Sequence, residues 1–257
     1  MSDTYARVMR PADEAGKRRA TRSGAGRRSG AAPSLTAAPA QAKRTPVASK
    51  ETPTEGAPTP AETTFAAAVA AFLAGRDAQA DRDFLFEDVP APKRLAPYAT
   101  AIAASVQRDG VDVAWGRLVL LYDPDGQEGW DGAVRLVAYI RADVEPEMAA
   151  DPLLGEVGWS WLSEALDAHV PGYAVPSGTV TRVITEGFGA KRDELPLTGF
   201  ELRASWSPAG PGNSDADDRD LDILDLSAHI SAWCDCLSAA AGLEPPGTRA
   251  LRPPGRG

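Results

Sequence analysis

Residues 98–122, YATAIAASVQRDGVDVAWGRLVLLY, decide the fold class of this chain. Large apolar residues alternate with small or polar ones along both halves, and a period of two is typical of β-strands with one buried face. Asp109-Gly110 separates the halves, and this dipeptide favours a two-residue hairpin turn. The stretch therefore predicts two antiparallel strands, at residues 98–106 and 111–122.

The segments on either side add more strands and three helices. Alternation predicts further strands at residues 133–144, 178–187 and 200–206. Apolar residues spaced three and four apart predict helices over about residues 60–75, 151–170 and 223–242. Thr63 or Thr64 is the expected cap of the first helix, and Gly75 its expected end.

The order of these elements is α-βββ-α-ββ-α, with strands in runs joined by hairpins. This order predicts a single α+β domain that has an antiparallel sheet with helices packed on one face. The clean alternation leaves the other sheet face to water or to a partner. Residues 89–92 are expected to be extended because of their prolines, and the short apolar patch at 84–86 is not assigned to a strand.

The charges divide the chain into an acidic domain and basic ends. The 257 residues carry a net charge of −9, but residues 1–60 carry +6 and the arginines at 249, 252 and 256 add +3. Residues 61–248 therefore carry −18. The first 60 residues include seven prolines and one aromatic residue, too little apolar surface to offset the entropy of ordering. We expect disordered tails at 1–60 and 244–257 and one domain at 61–243.

Composition also excludes several classes of protein. The chain lacks the run of about 18 apolar residues that a membrane span needs, and its first 30 residues lack the apolar stretch of a secretory signal. Two cysteines and two histidines argue against a disulfide scaffold or a zinc site. A cytoplasmic location is the prediction.

Familiar catalytic and metal-binding motifs are missing from the sequence. Cys234 and Cys236 point away from each other on a helix, which favours a packing role. His169 and His229 accompany no G-x-S-x-G nucleophile pattern. The acidic run at 215–225 fails the EF-hand pattern and is interpreted as a solvated loop that leads into a capped helix. We therefore expect no catalytic residue, no cofactor and no metal.

Six residues are candidates for contact with a partner. Trp159 and Trp161 lie on opposite sides of a predicted helix, so that one is expected to pack on the sheet and the other to reach an interface. The alternative is plain packing. Predicted strands also carry four arginines, which form a basic strip if they share the exposed face: Arg117, Arg135, Arg182 and Arg203. The alternative is scattered surface charges that pair with Glu186 and Glu201.

Five blocks of sequence resemble an uncharacterised actinobacterial family, the domain-of-unknown-function family DUF3000. They are PAPKRLAPYA at 90–99, LLYDPDGQE at 120–128, EPEMAADPLL at 145–154, GWSWL at 158–162 and SGTVTRV at 177–183. The resemblance extends over about residues 65–248. The family has no assigned activity, so the resemblance implies no mechanism. The element order is also similar to that of the secretion-chaperone-like fold, whose members bind other polypeptides.

These observations favour a non-enzymatic, protein-binding or chaperone-like module over an enzyme. An enzyme or small-molecule binder is one alternative, and it requires a deep pocket lined by titratable groups. Nucleic-acid association through the basic residues of 1–60 is the other, although that tail lacks aromatic residues interleaved for base stacking. The sequence does not decide the partner or the oligomeric state.

Overall fold

The computed structural model describes residues 57–79, 82–193, 195–209 and 224–243. Our predictions for the tails, up to residue 56 and from residue 244, lie outside these residues. The acidic run does too, except for its last residue, Asp225. This carboxylate caps a helix by accepting the backbone N–H of Ala228 at 3.1 Å, as the interpretation of a capped helix requires.

Within these residues, six strands form one open antiparallel sheet, with four helices packed against it. The strands are β1 (Phe84–Asp88), β2 (Tyr98–Arg108), β3 (Val111–Tyr122), β4 (Val134–Asp143), β5 (Tyr173–Thr185) and β6 (Leu197–Pro208). Their spatial order is β1-β2-β3-β4-β6-β5. The helices are α1 (Pro60–Asp77), α2 (Pro146–Ala150), α3 (Leu154–His169) and α4 (Leu226–Ala240). The α+β class is confirmed, and no helix in the described part of the chain has the length and apolar character to cross a membrane.

The β2–β3 hairpin forms where the sequence predicts it. Asp109 and Gly110 have φ values of 54° and 78°, and this pair of positive angles belongs to the tight turn whose twist matches that of the strands. The register then runs from Arg108 opposite Val111 to Tyr98 opposite Tyr122. The hairpin is therefore set by its turn residues.

Two short elements were not predicted. The apolar patch at 84–86 belongs to the edge strand β1, in which Phe84 lies opposite Val106 of β2. Helix α2 has five residues. Elements this short do not hold enough repeats to show a period. Helix α3 also begins at Leu154 rather than near Asp151, because the Asp151 carboxylate accepts the N–H of Leu153 in a turn that precedes the helix.

Helix α1 differs from the prediction at both ends. Its cap is Thr59, which forms a reciprocal capping box with Glu62, rather than Thr63 or Thr64. Gly75 lies inside the helix instead of ending it. A Cβ at Gly75 would come 2.7 Å from backbone atoms of Ser227, so this glycine permits the close crossing of α1 and α4.

The main core lies between the sheet and the helices. Helix α4 packs on the central strands and contacts α1 on one side and α3 on the other. The largest fully buried side chains include Trp206, Trp233, Phe72 and Phe200. A Cβ at Gly116 of β3 would lie 2.8 Å from the Trp233 ring, so this glycine allows α4 to approach the sheet.

The second face of the sheet is partly covered by the chain itself, whereas the sequence predicted a face left to water or a partner. A smaller apolar cluster lies there: Ala101, Val119, Leu121, Val137 and Tyr139. Residues 89–97, which include three prolines, cross this cluster and place Val89 and Leu95 on it. Gln127 holds this covering segment by donating to the Leu95 carbonyl at 2.9 Å. Covered and uncovered regions therefore share one face.

Candidate interaction face

Next to the covering segment, the second face holds a row of cations around a buried aromatic ring. The strand register places Arg117 of β3 opposite Tyr139 of β4, and Tyr139 opposite Arg203 of β6. Residues opposite each other in an antiparallel pair lie on the same face. The next row consists of Trp115, Arg141 and Glu201. We call these six residues the cationic–aromatic patch.

Tyr139 is the buried centre of the patch, with 3% of its surface exposed. The Trp115 ring packs against its ring at a centroid distance of 5.8 Å, with planes at 61°. The Arg203 guanidinium lies 5.3 Å from the Tyr139 ring centre, within the range of a cation–π contact. Burial, assisted by the nearby Glu201 carboxylate, raises the pKa of Tyr139 to about 12. Tyr139 is therefore neutral at physiological pH, and Trp115 and Arg203 pack against its ring.

The patch carries a net positive charge. Arg203 forms an ion pair with Glu201 at 2.6 Å, while Arg141 is exposed. Three arginines and one glutamate thus share a surface within a domain segment whose net charge is −18. The patch is a local positive region on an acidic protein.

Arg117 connects the patch to the covering segment. Its guanidinium donates to the carbonyl of Pro90, at the start of that segment. The side chain is half-buried, and this burial lowers the pKa of Arg117 from its ordinary value. The β3 end of the patch is thereby joined to the segment that covers the rest of the face.

Arg135 lies on the same face but is a buried structural residue. Its guanidinium donates to the Ser205 hydroxyl at 2.7 Å, the Ser207 hydroxyl at 3.3 Å and the Val175 carbonyl at 3.0 Å. Val175 has a positive φ of 42° and lies in the irregular segment of β5, between Ala174 and Ser177. Arg135 therefore ties this irregular segment to β4 and β6.

Arg182 lies on the helix side of the sheet, where it is opposite Phe200. It donates to the Asp151 carbonyl at 2.8 Å and to the Ala150 carbonyl at 3.4 Å, at the end of α2. The four predicted arginines therefore do not form one strip. Arg117 and Arg203 belong to the patch, Arg135 is buried, and Arg182 holds a helix end. Arg203 pairs with Glu201, which agrees with the alternative of scattered, paired charges at that position.

Trp159 and Trp161 both pack against the main core. Around the helix, Gly158 lies between the two tryptophans. The Phe200 ring is so close to Gly158 that it leaves no room for a Cβ there. Trp161 then flanks Phe200 with a ring-centroid distance of 5.4 Å. Trp159 covers Gly178 of β5, where a Cβ would lie 2.7 Å from its ring. Both rings stay half-buried.

The histidines have structural partners. His169 Nε2 lies 2.6 Å from an Asp235 oxygen, and Arg82 contacts the other oxygen of that carboxylate at 2.7 Å. This group joins the end of α3 to α4 and to the segment after α1. His229 is buried under the sheet, where Nδ1 accepts a hydrogen bond from Trp206.

Both cysteines are buried in the main core, and burial raises the pKa of each thiol. A raised pKa keeps a thiol protonated and unreactive, in agreement with a packing role. Among the residues that the structure describes, His, Cys, Asp and Glu side chains form no group of three suited to a metal ion.

The sequence missed Trp115, Tyr139 and Arg141. Alternation places each of these residues on the outer side of its own strand. The patch needs the additional fact that β6 inserts beside β4, ahead of β5. That order is a property of the assembled sheet.

The described residues define an α+β protein with an open, six-stranded antiparallel sheet, four packed helices and a cationic–aromatic patch on the face away from them. Residues 61–249 match the model of the family described as "Protein of unknown function (DUF3000)", and the chain belongs to this family. No curated protein and no solved structure matches the chain. The similarity to the secretion-chaperone-like fold therefore rests on element order alone.

Proposed function

We propose that this domain is a non-enzymatic protein-binding module that holds an acidic segment of a partner protein on the cationic–aromatic patch. The observation that carries the proposal is the cross-strand row of Arg117, Tyr139 and Arg203, with the Trp115 ring in a T-shaped contact beside it. Aromatic residues and arginine are the residue types that contribute most binding energy at protein interfaces.

The chemistry of the patch suits carboxylates. A guanidinium presents planar donors that match a carboxylate, and the half-buried Trp115 ring supplies apolar surface beside it. Arg203 forms an ion pair with the Glu201 carboxylate within the chain, which supports a carboxylate as the bound group. A sheet face also presents a broad, shallow surface, whereas small-molecule sites are concave. An extended acidic segment fits these properties.

The charge of the rest of the domain favours a short acidic segment over a long polyanion. A nucleic acid extends along many phosphates and would meet the acidic surface that surrounds the patch. A segment with a few carboxylates can contact the positive region alone. Such binding is expected to weaken as salt is raised.

Quantitative affinity capture with crosslinking tests this function. The baits are the full chain, the patch variants Arg203→Glu and Trp115→Ala, and the control Arg192→Glu, which makes the same charge change at an exposed position outside the patch. We expect a protein with an acidic segment to be enriched by the full chain and the control, and reduced about tenfold or more by each patch variant. A synthetic peptide of that segment should bind less tightly at higher salt. Equal capture by all baits would refute the proposal.

The basic tail supports a second candidate, nucleic-acid association, because residues 1–60 carry a net charge of +6. A gel shift over a salt series, with and without residues 1–56, tests it and leaves the Thr59 cap intact. Absent or salt-insensitive binding would argue against this role.

A further inference from the structure

The two edges of the sheet differ in length and in protection. Strand β1 has five residues and ends in exposed Glu87 and Asp88, whereas β5 has thirteen residues. Within the described residues, β5 pairs with β6 on one side and with no strand on the other. Proteins usually guard a long edge with charges or prolines, because its free backbone groups can pair with another strand.

Residues 177–185 of β5, SGTVTRVIT, form the unguarded part of this edge. Six of these nine residues are β-branched, which favours strand pairing. Their one charged residue is Arg182, and its guanidinium is directed to the carbonyls of Ala150 and Asp151. Pro176 lies before this segment. Among the described residues, no strand pairs with this edge over these nine residues, about 30 Å of strand.

We infer that β5 pairs antiparallel with β5 of a second copy of this chain, with Thr181 on the two-fold axis. This register places Arg182 opposite Val180 of the second copy, so that like charges do not face each other. It also places Ile184 opposite Gly178. The interface is isologous, and it joins two sheets into one.

Apolar residues at the two ends of β5 are complementary in this register. Trp159 covers Gly178 and is half-buried, so Ile184 of the second copy, 53% exposed in a single chain, would pack beside its ring. Phe188, 76% exposed, follows Ile184 and would approach Val175 of the second copy, which is 48% exposed. Pairing thus covers exposed apolar surface at both ends of the strand.

The charge around β5 also favours a second copy as the occupant. Residues 173–208, which contain β5 and β6, include four basic and four acidic residues. Their net charge is zero, whereas residues 61–248 carry −18. Two copies of an acidic domain can therefore approach along this hairpin without net local repulsion.

Sedimentation equilibrium of the full chain and of charge variants at the axis tests the inference. Thr181 is exposed, so Thr181→Glu and Thr181→Lys should fold, as far-UV circular dichroism can verify. Each variant places two like charges opposite each other, and we expect dimerisation to weaken about tenfold. An equimolar mixture of the two variants should restore dimers, since opposite charges then meet. Val111→Glu, a change at another exposed position on the β2–β3 hairpin, should leave dimerisation as in the unmodified chain.

Hydrogen exchange locates the contact independently, because amides of 177–185 should gain protection as the concentration of the chain is raised. If Thr181→Glu does not fold, Ile184→Lys replaces it, since the introduced ammonium group would face Gly178 and Trp159 of the second copy. A chain that is monomeric up to about 100 μM would overturn the inference. So would a dimer that tolerates these changes, a mixture without rescue, or protection confined to another element.

Discussion

The indole Nε1 of Trp206 donates a hydrogen bond of 3.1 Å to Nδ1 of His229, and both side chains are fully buried. Because Nδ1 accepts, the imidazole is neutral with its proton on Nε2. Nε2 has no hydrogen-bond partner among the described residues. Burial, opposed in part by Asp225, lowers the pKa of His229 from 6.5 to about 4. This pair couples the stability of the core to pH.

Stability should therefore fall when the pH drops below about 6.5. The unfolded chain takes up a proton at His229 near pH 6.5, whereas the folded chain resists protonation down to about pH 4. The contribution of His229 to the free energy of unfolding is complete above pH 6.5 and is lost as the pH falls toward 4. It amounts to about 3 kcal/mol. Denaturant unfolding from pH 4 to 8 should show the free energies of the parent and of His229→Gln converging as the pH falls. A constant difference would contradict this assignment.

The glycines of α3 provide a matched pair for the close approach of that helix to the sheet. Gly155→Ala meets no atom within 4 Å and should stabilise the protein by up to about 1 kcal/mol, because alanine is the better helix former. Gly158→Ala must displace the Phe200 ring and should destabilise it by about 1–3 kcal/mol. Denaturant midpoints of the two variants measure the contrast. Equal shifts would mean that α3 lies farther from β6.

The start of α1 can be tested at the two threonine positions that sequence and structure favour. Thr59→Ala removes the side chain that accepts the Glu62 N–H and should destabilise the protein by about 1 kcal/mol. Thr64→Ala lies inside the helix and should change stability by less than about 0.5 kcal/mol. Parallel thermal unfolding of the two variants compares their stabilities. A larger loss of stability in Thr64→Ala than in Thr59→Ala would favour the cap predicted from the sequence.

Local patterns predicted the fold class and most elements, because alternation and turn residues act over a few positions. Asp109-Gly110 fixed one hairpin in this way. The positions of Trp159 and Trp161 could not be derived from helical angles, since they depend on Gly158 and Phe200, which meet only after α3 docks. The patch likewise depends on β6 lying beside β4. Contacts between side chains from separate segments depend on how the elements pack, and this packing cannot be derived from a single sequence.

Arg135 and Arg203 occupy one sheet face and should respond differently to substitution. Arg135 is buried, with donors committed to Ser205, Ser207 and Val175, so Arg135→Met leaves buried acceptors without their partner. We expect a loss of about 2–4 kcal/mol in the free energy of unfolding.

Arg203 is part-exposed, and Arg203→Ala removes an ion pair and a ring contact near solvent. The free energy of unfolding should fall by less than about 1 kcal/mol in Arg203→Ala. Urea unfolding of both variants, beside their capture of the acidic partner, separates a structural arginine from a binding one. A large stability loss at Arg203 would assign this residue to the framework of the sheet and weaken the case for the patch.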